Sequence, residues 1–287
     1  MRATQVTGPV TWHGEGPFWD WVGNRMLVVD MLAGAVVDLP AFDRPSRYDV
    51  GSPVAAMIRR RARGGFIVAT EHGFTLFDEE FTVERRLPDV VSDPAIRLNE
   101  GGCDPQGRLY CGSMAYGETP GAASLYRLEP DGLASTVLKG VTISNGLQWS
   151  QDGSLAYYVD TPTRRIDVFD FDGSDGSFHE RRPFARIEDR IEGAPDGMTI
   201  DADGGLWVAL WGGGAVLRYD SSGRWTDMVE VPGVTRTSAA AFGGPERDTL
   251  YITTSRQGLA DGAEPQAGSV FAVQPGARGV PLHDFAG

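Results

Sequence analysis

The sequence has few cysteines, no long apolar run and no excess of positive charge, and each absence excludes a class of protein. Two cysteines among 287 residues are too few for a disulfide scaffold. No stretch approaches the 18 or so apolar residues that a membrane-spanning helix needs, so we expect no membrane partner. With 26 Lys and Arg against 39 Asp and Glu, the net charge of -13 disfavours nucleic acid as a partner. The amino-terminal residues lack a secretory signal core, and we expect a cytoplasmic protein.

Glycine and proline are abundant instead, and they leave little room for a long helix. The 38 glycines and 18 prolines interrupt the chain every few residues. Between them lie short runs rich in β-branched and aromatic residues, such as RMLVVD, LAYYVD and TLYITT, bounded by turn sequences such as DPQG, QDG and DADGG. The sequence therefore predicts an all-β protein built from antiparallel hairpins.

One sequence pattern recurs along the chain. EGPFWDWVGNRMLVVD, which begins at Glu15, aligns without a gap with NGLQWSQDGSLAYYVD, which begins at Asn145. Further copies begin at Ala56, Asn99, Asp196 and, with a small shift, Ser238. Units about 40 to 50 residues apart match the period of propeller blades. We predict a six-bladed β-propeller with four-stranded antiparallel blades, formed by residues 1–287 as a single domain and closed by a strand near residues 5–10.

The first position of the repeat concentrates side chains that carry oxygen. Four of the six units have a carboxylate or carboxamide there, namely Glu15, Asn99, Asn145 and Asp196. A turn or capping role explains any one of them, but it does not explain their recurrence in register. Oxygen ligands converging at one end of a channel are typical of a site for a hard divalent cation. Glu15 and Asp196 would balance its charge, Asn145 would add a neutral oxygen, and positions would stay open for water or substrate.

Five segments together resemble the regucalcin (senescence marker protein)/gluconolactonase family. They are HGEGPFW, RLNEGGCDPQGRLYCGSM, ISNGLQWSQDG, PDGMTIDADGGLWVALWGGGAVLRYD and TSAAAFGG, and the match extends from near residue 12 to the C-terminus. The resemblance implies a sugar lactonase with one catalytic divalent metal. It implies Glu15, Asn145 and Asp196 as metal ligands, with Asp196 also the general base. It implies Arg97 and Asn99 as contacts for substrate oxygens.

Two positions depart from the family pattern. The family often has aspartate after the asparagine of the third unit, where this chain has Glu100. Family members also often have an acidic substrate contact shortly after the GSM segment. Here the run MAYGE offers Tyr116, Gly117 or Glu118, and we assign the contact to Glu118. The identity of the sugar lactone and its ring size stay open.

The resemblance, together with these residue types, implies a hydrolase that opens a sugar (aldono-) lactone to the aldonic acid. The metal would polarise the carbonyl, and Asp196 would take a proton from the attacking water, with ionisation of a water by the metal itself as an alternative. The cation is Ca²⁺, Zn²⁺, Mg²⁺, Mn²⁺ or Fe²⁺. Two other functions stay open: a non-catalytic metal-binding or interaction propeller, and an esterase or lactonase acting on a non-sugar ester. We expect a monomer or a weak homo-oligomer.

Other features favour structural roles. The sequence contains no GxSxG nucleophile motif, and its four histidines lack the paired spacing of zinc ligands. His13 lies two residues before Glu15, within reach of the pocket, but base rates favour a place at the surface or a role supporting the site from outside the pocket. We expect the basic run with Arg59, Arg60, Arg61 and Arg63 to be a solvated loop.

Overall fold

The computed structural model describes residues 1–40 and 42–287, which form short strands and two 3₁₀ turns. The strands, in chain order, are β1 (Thr4–Gln5), β2 (Gly14–Asp20), β3 (Arg25–Asp30), β4 (Ala35–Leu39), β5 (Ser46–Asp49), β6 (Ala55–Arg60), β7 (Phe66–Thr70), β8 (Phe74–Phe77), β9 (Val83–Arg86), β10 (Ile96–Cys103), β11 (Leu109–Ala115), β12 (Ala123–Leu128), β13 (Ala134–Val141), β14 (Ser144–Trp149), β15 (Leu155–Asp160), β16 (Arg165–Asp172), β17 (Ser177–Arg186), β18 (Ala194–Ile200), β19 (Leu206–Trp211), β20 (Ala215–Tyr219), β21 (Trp225–Glu230), β22 (Thr237–Gly243), β23 (Thr249–Thr254) and β24 (Val270–Val273). The 3₁₀ turns are Met31–Ala33 and Thr161–Thr163. Within the two described ranges, no helix has the length and apolarity needed to cross a bilayer.

The strands form six four-stranded antiparallel sheets in the part of the chain that the structure describes. Five sheets follow chain order from inner to outer strand: β2–β5, β6–β9, β10–β13, β14–β17 and β18–β21. The sixth contains β22, β23, β24 and then β1. The six inner strands contact one another in sequence around a closed ring, in which β22 meets β2. The predicted six-bladed β-propeller with four-stranded blades is therefore confirmed.

The ring is closed by the amino-terminal strand, which pairs into the last blade as predicted. Thr4 lies opposite Ala272 and Gln5 lies opposite Phe271 in an antiparallel pair. The strand ends earlier than the predicted residues 5–10. The sequence Gly8-Pro9 accounts for this, because proline has no N–H to donate to a strand ladder.

Each inner strand contains a β-bulge close to the first position of the sequence repeat. The register breaks lie between Glu15 and Phe18, Ala55 and Met57, Leu98 and Gly101, Asn145 and Leu147, Pro195 and Met198, and Thr237 and Ala240. A bulge adds a residue to one strand and changes the direction of the side chains there. The repeated bulge therefore places one residue from each blade at an equivalent point beside the central channel.

An aspartate stabilises the far end of the first hairpin in blade five. Asp201 Oδ1 accepts hydrogen bonds from the backbone N–H groups of Asp203 (3.0 Å) and Gly205 (2.7 Å). Its Oδ2 accepts from Trp207 Nε1 (2.9 Å) and Arg218 Nε (2.8 Å). These four bonds join the turn to two strands of the blade and hold it at the end of the channel opposite Asp196.

The basic run after β6 is only partly the solvated loop that the sequence predicts. Arg59 and Arg60 are both buried, because β6 continues through Arg60 and carries them into the channel and between blades. Arg59 Nη2 donates to Gly101 O (2.9 Å). Arg60 forms salt bridges with Asp20 (3.1 Å) and Glu79 (2.9 Å). The prediction is therefore wrong for these two arginines: Arg60 is paired with carboxylates inside the fold, and Arg59 donates to backbone carbonyls.

Candidate active site

One cavity of about 300 Å³ opens at the end of the channel where the inner strands begin. Its lining includes every residue that the sequence predicts for the site: Glu15, Arg97, Asn99, Glu118, Asn145 and Asp196. They come from blades one, three, four and five, and from positions more than a hundred residues apart. Their roles as ligands and substrate contacts stay predictions, but the fold brings all six to one place.

The two candidate carboxylate ligands are buried, and this raises their proton affinity. Burial raises the pKa of Glu15 to about 7, against smaller opposing effects from the Gly16 N–H and Arg97. Burial raises the pKa of Asp196 well above its usual value, and the negative charges of Glu15 and Glu100 add to this shift. Without a bound cation, the protein therefore does not offset the free-energy cost of burying these two negative charges.

A chain of amide hydrogen bonds orients the neutral candidate ligand. Asn99 Nδ2 donates to Asn145 Oδ1 (2.9 Å) and to Ser144 O (2.8 Å). Asn145 Nδ2 donates to Thr161 Oγ1 (2.7 Å), which in turn donates to Pro195 O (2.8 Å). The amide oxygen of Asn145 is thereby held on the Asn99 side, and it has a second lone pair available to a ligand.

The donor chemistry of this set fits a hard divalent cation. Glu15 and Asp196 offer carboxylate oxygens and Asn145 offers an amide oxygen, and burial of the two carboxylates calls for a positive counter-charge. Across the described residues, no group of three or more His, Cys, Asp or Glu side chains is suited to a metal ion. The proposed ligand set contains only two such residues, Glu15 and Asp196, and its third member is the amide of Asn145. Several coordination positions would therefore remain for water or substrate.

Arg97 is a buried cation whose hydrogen-bond partners among the described residues are all neutral. Its Nη1 donates to Asn99 Oδ1 (2.6 Å) and Leu98 O (3.1 Å), and sulfur atoms of Met31 and Met114 each lie 3.1 Å from a guanidinium nitrogen. Burial lowers the pKa of Arg97, and the carboxylates of Glu15 and Asp196 oppose that shift. The guanidinium is therefore held rigidly beside the candidate ligands, with its charge available to a substrate oxygen.

In the MAYGE segment, the structure distinguishes Glu118 from Tyr116. Glu118 lines the cavity from the loop after β11, where its φ of 53° lies in the left-handed region. Tyr116 covers Arg97 instead, with the guanidinium carbon 5.9 Å from the ring centroid and the hydroxyl donating to Glu71 Oε1 (2.6 Å). The geometry thus agrees with the assignment of Glu118 to the pocket.

His13 is buried and lines the cavity, so the expectation that it lies outside the pocket is wrong. Its Nδ1 is 2.6 Å from Ser255 Oγ, and its ring meets Trp211 edge-on with centroids 5.6 Å apart. Burial and the nearby Arg97 lower the pKa of His13 to about 3, so the ring is neutral at physiological pH. The position two residues before Glu15 was the available sequence signal, because alternate residues of a strand share a face.

In the sequence, Glu100 is a departure from the family pattern, but nothing there indicates that its side chain faces the channel. It lines a small void in the channel below the cavity, together with Arg59 and Gln148. Among the described residues, its buried Oε2 has no hydrogen-bond partner. Burial raises the pKa of Glu100 well above its usual value, and Glu15 adds to the shift. It therefore adds negative charge behind the candidate ligands whenever it is ionised.

The bulge beside Asp196 depends on the absence of a side chain at Gly197. A Cβ at this position would lie 2.5 Å from Ala239 Cβ and 2.9 Å from Ser238 O in the next blade. Gly197→Ala is expected to lower the free energy of unfolding by about 1–3 kcal/mol, measured by urea denaturation. Gly8→Ala is the control, since a Cβ there meets nothing within 4 Å, and it should change stability by less than about 0.5 kcal/mol. Equal midpoints for the two variants would contradict the tight contact.

Comparison with known proteins identifies the family of this chain. A family profile described as "SMP-30/Gluconolactonase/LRE-like region" matches residues 13–256. Regucalcin of Bos taurus is 34% identical over 286 residues, which cover 96% of this chain and 95% of the relative. A Bacillus subtilis (strain 168) protein named putative sugar lactone lactonase YvrE is 33% identical over 279 residues, with coverage of 96% and 95%. The crystal structure of a calcium-binding protein, regucalcin, from Agrobacterium tumefaciens matches with a TM-score of 0.89 at 27% identity, covering 99% of this chain and 96% of that one. This chain therefore belongs to the SMP-30/gluconolactonase/LRE-like family.

Proposed function

We propose that this protein is a divalent-metal-dependent lactonase that opens a sugar lactone to its aldonic acid. Family membership supports the lactonase activity, and one observation supports the finer assignment. The oxygen ligands Glu15, Asn145 and Asp196 line the same 300 Å³ cavity as the polar residues Arg97, Asn99 and Glu118. A cation site and a polyol-binding surface that share one cavity are what hydrolysis of a sugar lactone requires.

Glu15, Asn145 and Asp196 would hold the cation. When bound, it supplies Lewis acidity for the lactone carbonyl and charge stabilisation for the developing oxyanion. The description of the Agrobacterium relative as calcium-binding supports Ca²⁺ as the first ion to test, while the oxygen-only donor set also accepts Mg²⁺, Mn²⁺, Zn²⁺ or Fe²⁺.

Asp196 would be the general base. Its carboxylate accepts a proton from the water that attacks the carbonyl carbon. The bond between the carbonyl carbon and the ring oxygen then breaks. The ring oxygen leaves as a hydroxyl group when it receives the proton that Asp196 took from the water, which regenerates the carboxylate. The product is an aldonic acid, which ionises and acidifies the solution.

Arg97, Asn99 and Glu118 would orient the sugar ring. A polyol needs donors and acceptors at fixed positions, and these three side chains offer a guanidinium, an amide and a carboxylate from blade three. Arg97 and Asn99 are already joined by a 2.6 Å hydrogen bond, so the ring would meet a pre-organised surface.

Acid release in a pH-stat tests this proposal. Chelator-stripped protein is given a panel of aldonolactones, first alone and then with each divalent cation, and spontaneous hydrolysis is subtracted. We expect turnover to be lost on stripping and restored by a cation. Absence of turnover with every cation and lactone would overturn the proposal in favour of a non-catalytic propeller. Hydrolysis confined to non-sugar esters would support the esterase alternative.

A further inference from the structure

The cavity has two chemically different walls. Blade three supplies the charged and amide side chains of Arg97, Asn99 and Glu118. Blades four and five supply a continuous apolar surface, composed of Ile143, Pro162, Ala194 and Trp211. We call these four residues the apolar wall. Outside blade three, the polar residues of the lining, apart from the candidate cation ligands, are His13, Thr161 and Gln257, so a hydroxylated sugar would meet fewer polar partners beside the apolar wall.

Two polar groups next to the apolar wall, the Thr161 hydroxyl and the Ile143 backbone N–H, are already engaged with the protein. The hydroxyl of Thr161, which also lines the cavity, donates its one hydrogen to Pro195 O (2.8 Å) and accepts from Asn145 Nδ2 (2.7 Å). The backbone N–H of Ile143 donates to Asp160 Oδ1 (2.9 Å), and Ala194 pairs with Trp211 across the strands β18 and β19. A hydroxyl placed against this wall would therefore lose water without gaining a donor from Thr161 or from the Ile143 backbone.

The apolar wall is also rigid. The guanidinium carbon of Arg236 lies 5.2 Å from the centroid of the Trp211 ring, and the His13 ring meets the same indole at 5.6 Å. Contacts on two sides hold the indole in place, and Pro162 belongs to the 3₁₀ turn Thr161–Thr163. A wall whose side chains are held in place can select between substrates that differ by one chemical group, such as a hydroxyl.

We propose that the substrate is a 6-deoxy sugar lactone, whose exocyclic end carries a methyl group where an ordinary hexonolactone carries a hydroxymethyl group. This proposal rests on the lactonase function proposed above. With the lactone carbonyl at Glu15, Asn145 and Asp196, and the ring hydroxyls toward Arg97, Asn99 and Glu118, the remaining end of the molecule faces the apolar wall. The methyl group packs there, whereas a hydroxymethyl group would place a hydroxyl against apolar side chains, where neither Thr161 nor the Ile143 backbone can donate to it.

Two matched pairs of lactones test the preference, since the members of each pair differ only in the oxygen on carbon six. They are L-fucono-1,4-lactone with L-galactono-1,4-lactone, and L-rhamnono-1,4-lactone with L-mannono-1,4-lactone. We expect kcat/KM to be about tenfold or more higher for the deoxy member of at least one pair, which is the discrimination that apolar pockets achieve for such changes. Hydrolysis of the panel with a ratio of one or less in both pairs would overturn this inference and leave the lactonase proposal intact. Absence of hydrolysis of every sugar lactone would overturn both.

Variants of Ile143 show whether the apolar wall causes the preference. The valine and threonine side chains introduced by Ile143→Val and Ile143→Thr have nearly the same shape, but only threonine carries a hydroxyl. We expect the valine variant to keep the deoxy-to-hydroxy ratio and the threonine variant to lower it by about threefold or more. Both rates are measured on the same preparation, so a loss of folded protein cancels in the ratio. An equal ratio in the two variants would overturn the assignment of the preference to this wall.

Discussion

Changing Asp196 to asparagine should lower kcat by about 100- to 10,000-fold and should also stabilise the metal-free protein. The first effect follows because the variant lacks the proton acceptor for the attacking water. The second follows because burial, Glu15 and Glu100 all raise the pKa of Asp196, which means that its ionised form is destabilised in the folded protein. Asparagine keeps the shape and an oxygen without the charge.

These two effects are measured on the same variant in separate experiments. The kcat is taken from acid release at saturating cation and lactone, and cation affinity is taken from calorimetry. The unfolding midpoint in urea is taken for chelator-stripped protein at neutral pH, where we expect a higher midpoint than in the wild type. A kcat within tenfold of the wild type at saturating cation would contradict the role of Asp196 as the base.

Asp201→Asn is a suitable control, because Asp201 is equally buried and lies in the same blade outside the cavity. Its carboxylate accepts from Gly205 N, Trp207 Nε1 and Arg218 Nε. Loss of the charge opposite Arg218 should lower the free energy of unfolding by about 2 kcal/mol or more, while kcat per folded molecule stays near the wild-type value. Asp196→Asn should therefore lose activity and gain stability, whereas Asp201→Asn should lose stability and keep its activity per folded molecule. A general disturbance of blade five would not produce this contrast.

The fold could be predicted because each blade repeats the same local chemistry. The turn glycine recurs eight residues after Glu15, Asn99, Asn145 and Asp196, and this register determines the blades and their common starting point. Side chains at that point were predicted together because they occupy equivalent positions in the ring. The fold and the grouping of candidate ligands therefore followed from one pattern.

Residues outside the pattern could not be predicted in this way. Strict alternation along a strand would direct Asn99 and Glu100 to opposite faces, yet both face the channel, because the bulge between Leu98 and Gly101 interrupts the alternation. Burial of Arg59 depends on an acceptor in another blade, which its own segment does not reveal.

The apolar wall had no sequence motif for a different reason. Ile143, Pro162, Ala194 and Trp211 lie in separate segments, and apolar residues near strand ends look alike whether they pack in the core or line a pocket. Their common role becomes visible only when blades four and five are placed side by side. Substrate preference is therefore the property that the sequence determines least directly.

The stability of the metal-free protein should fall as the pH rises from about 4.5 to 7, and Glu15 alone should account for about 3 kcal/mol of the loss. Burial raises the pKa of Glu15 from 4.5 to about 7 in the folded protein. Between these values the folded state retains a proton that the unfolded state has released. The contribution of the group is therefore complete below the unfolded pKa and disappears as the pH passes through the folded pKa.

Urea unfolding of stripped wild type and Glu15→Gln, from pH 4.5 to 8, measures the contribution of Glu15, including its effect on the pKa of Asp196 and Glu100. The difference in free energy of unfolding between the two proteins should change by about 3 kcal/mol over the range, and parallel curves would contradict the raised pKa.

A divalent cation should reverse the trend in the wild type, because it binds the ionised carboxylates and its affinity rises with pH. At one hundred times its Kd it should add about 2.7 kcal/mol, and Glu15→Gln should show less of this gain at the same concentration, since it lacks one of the two charges that would hold the ion.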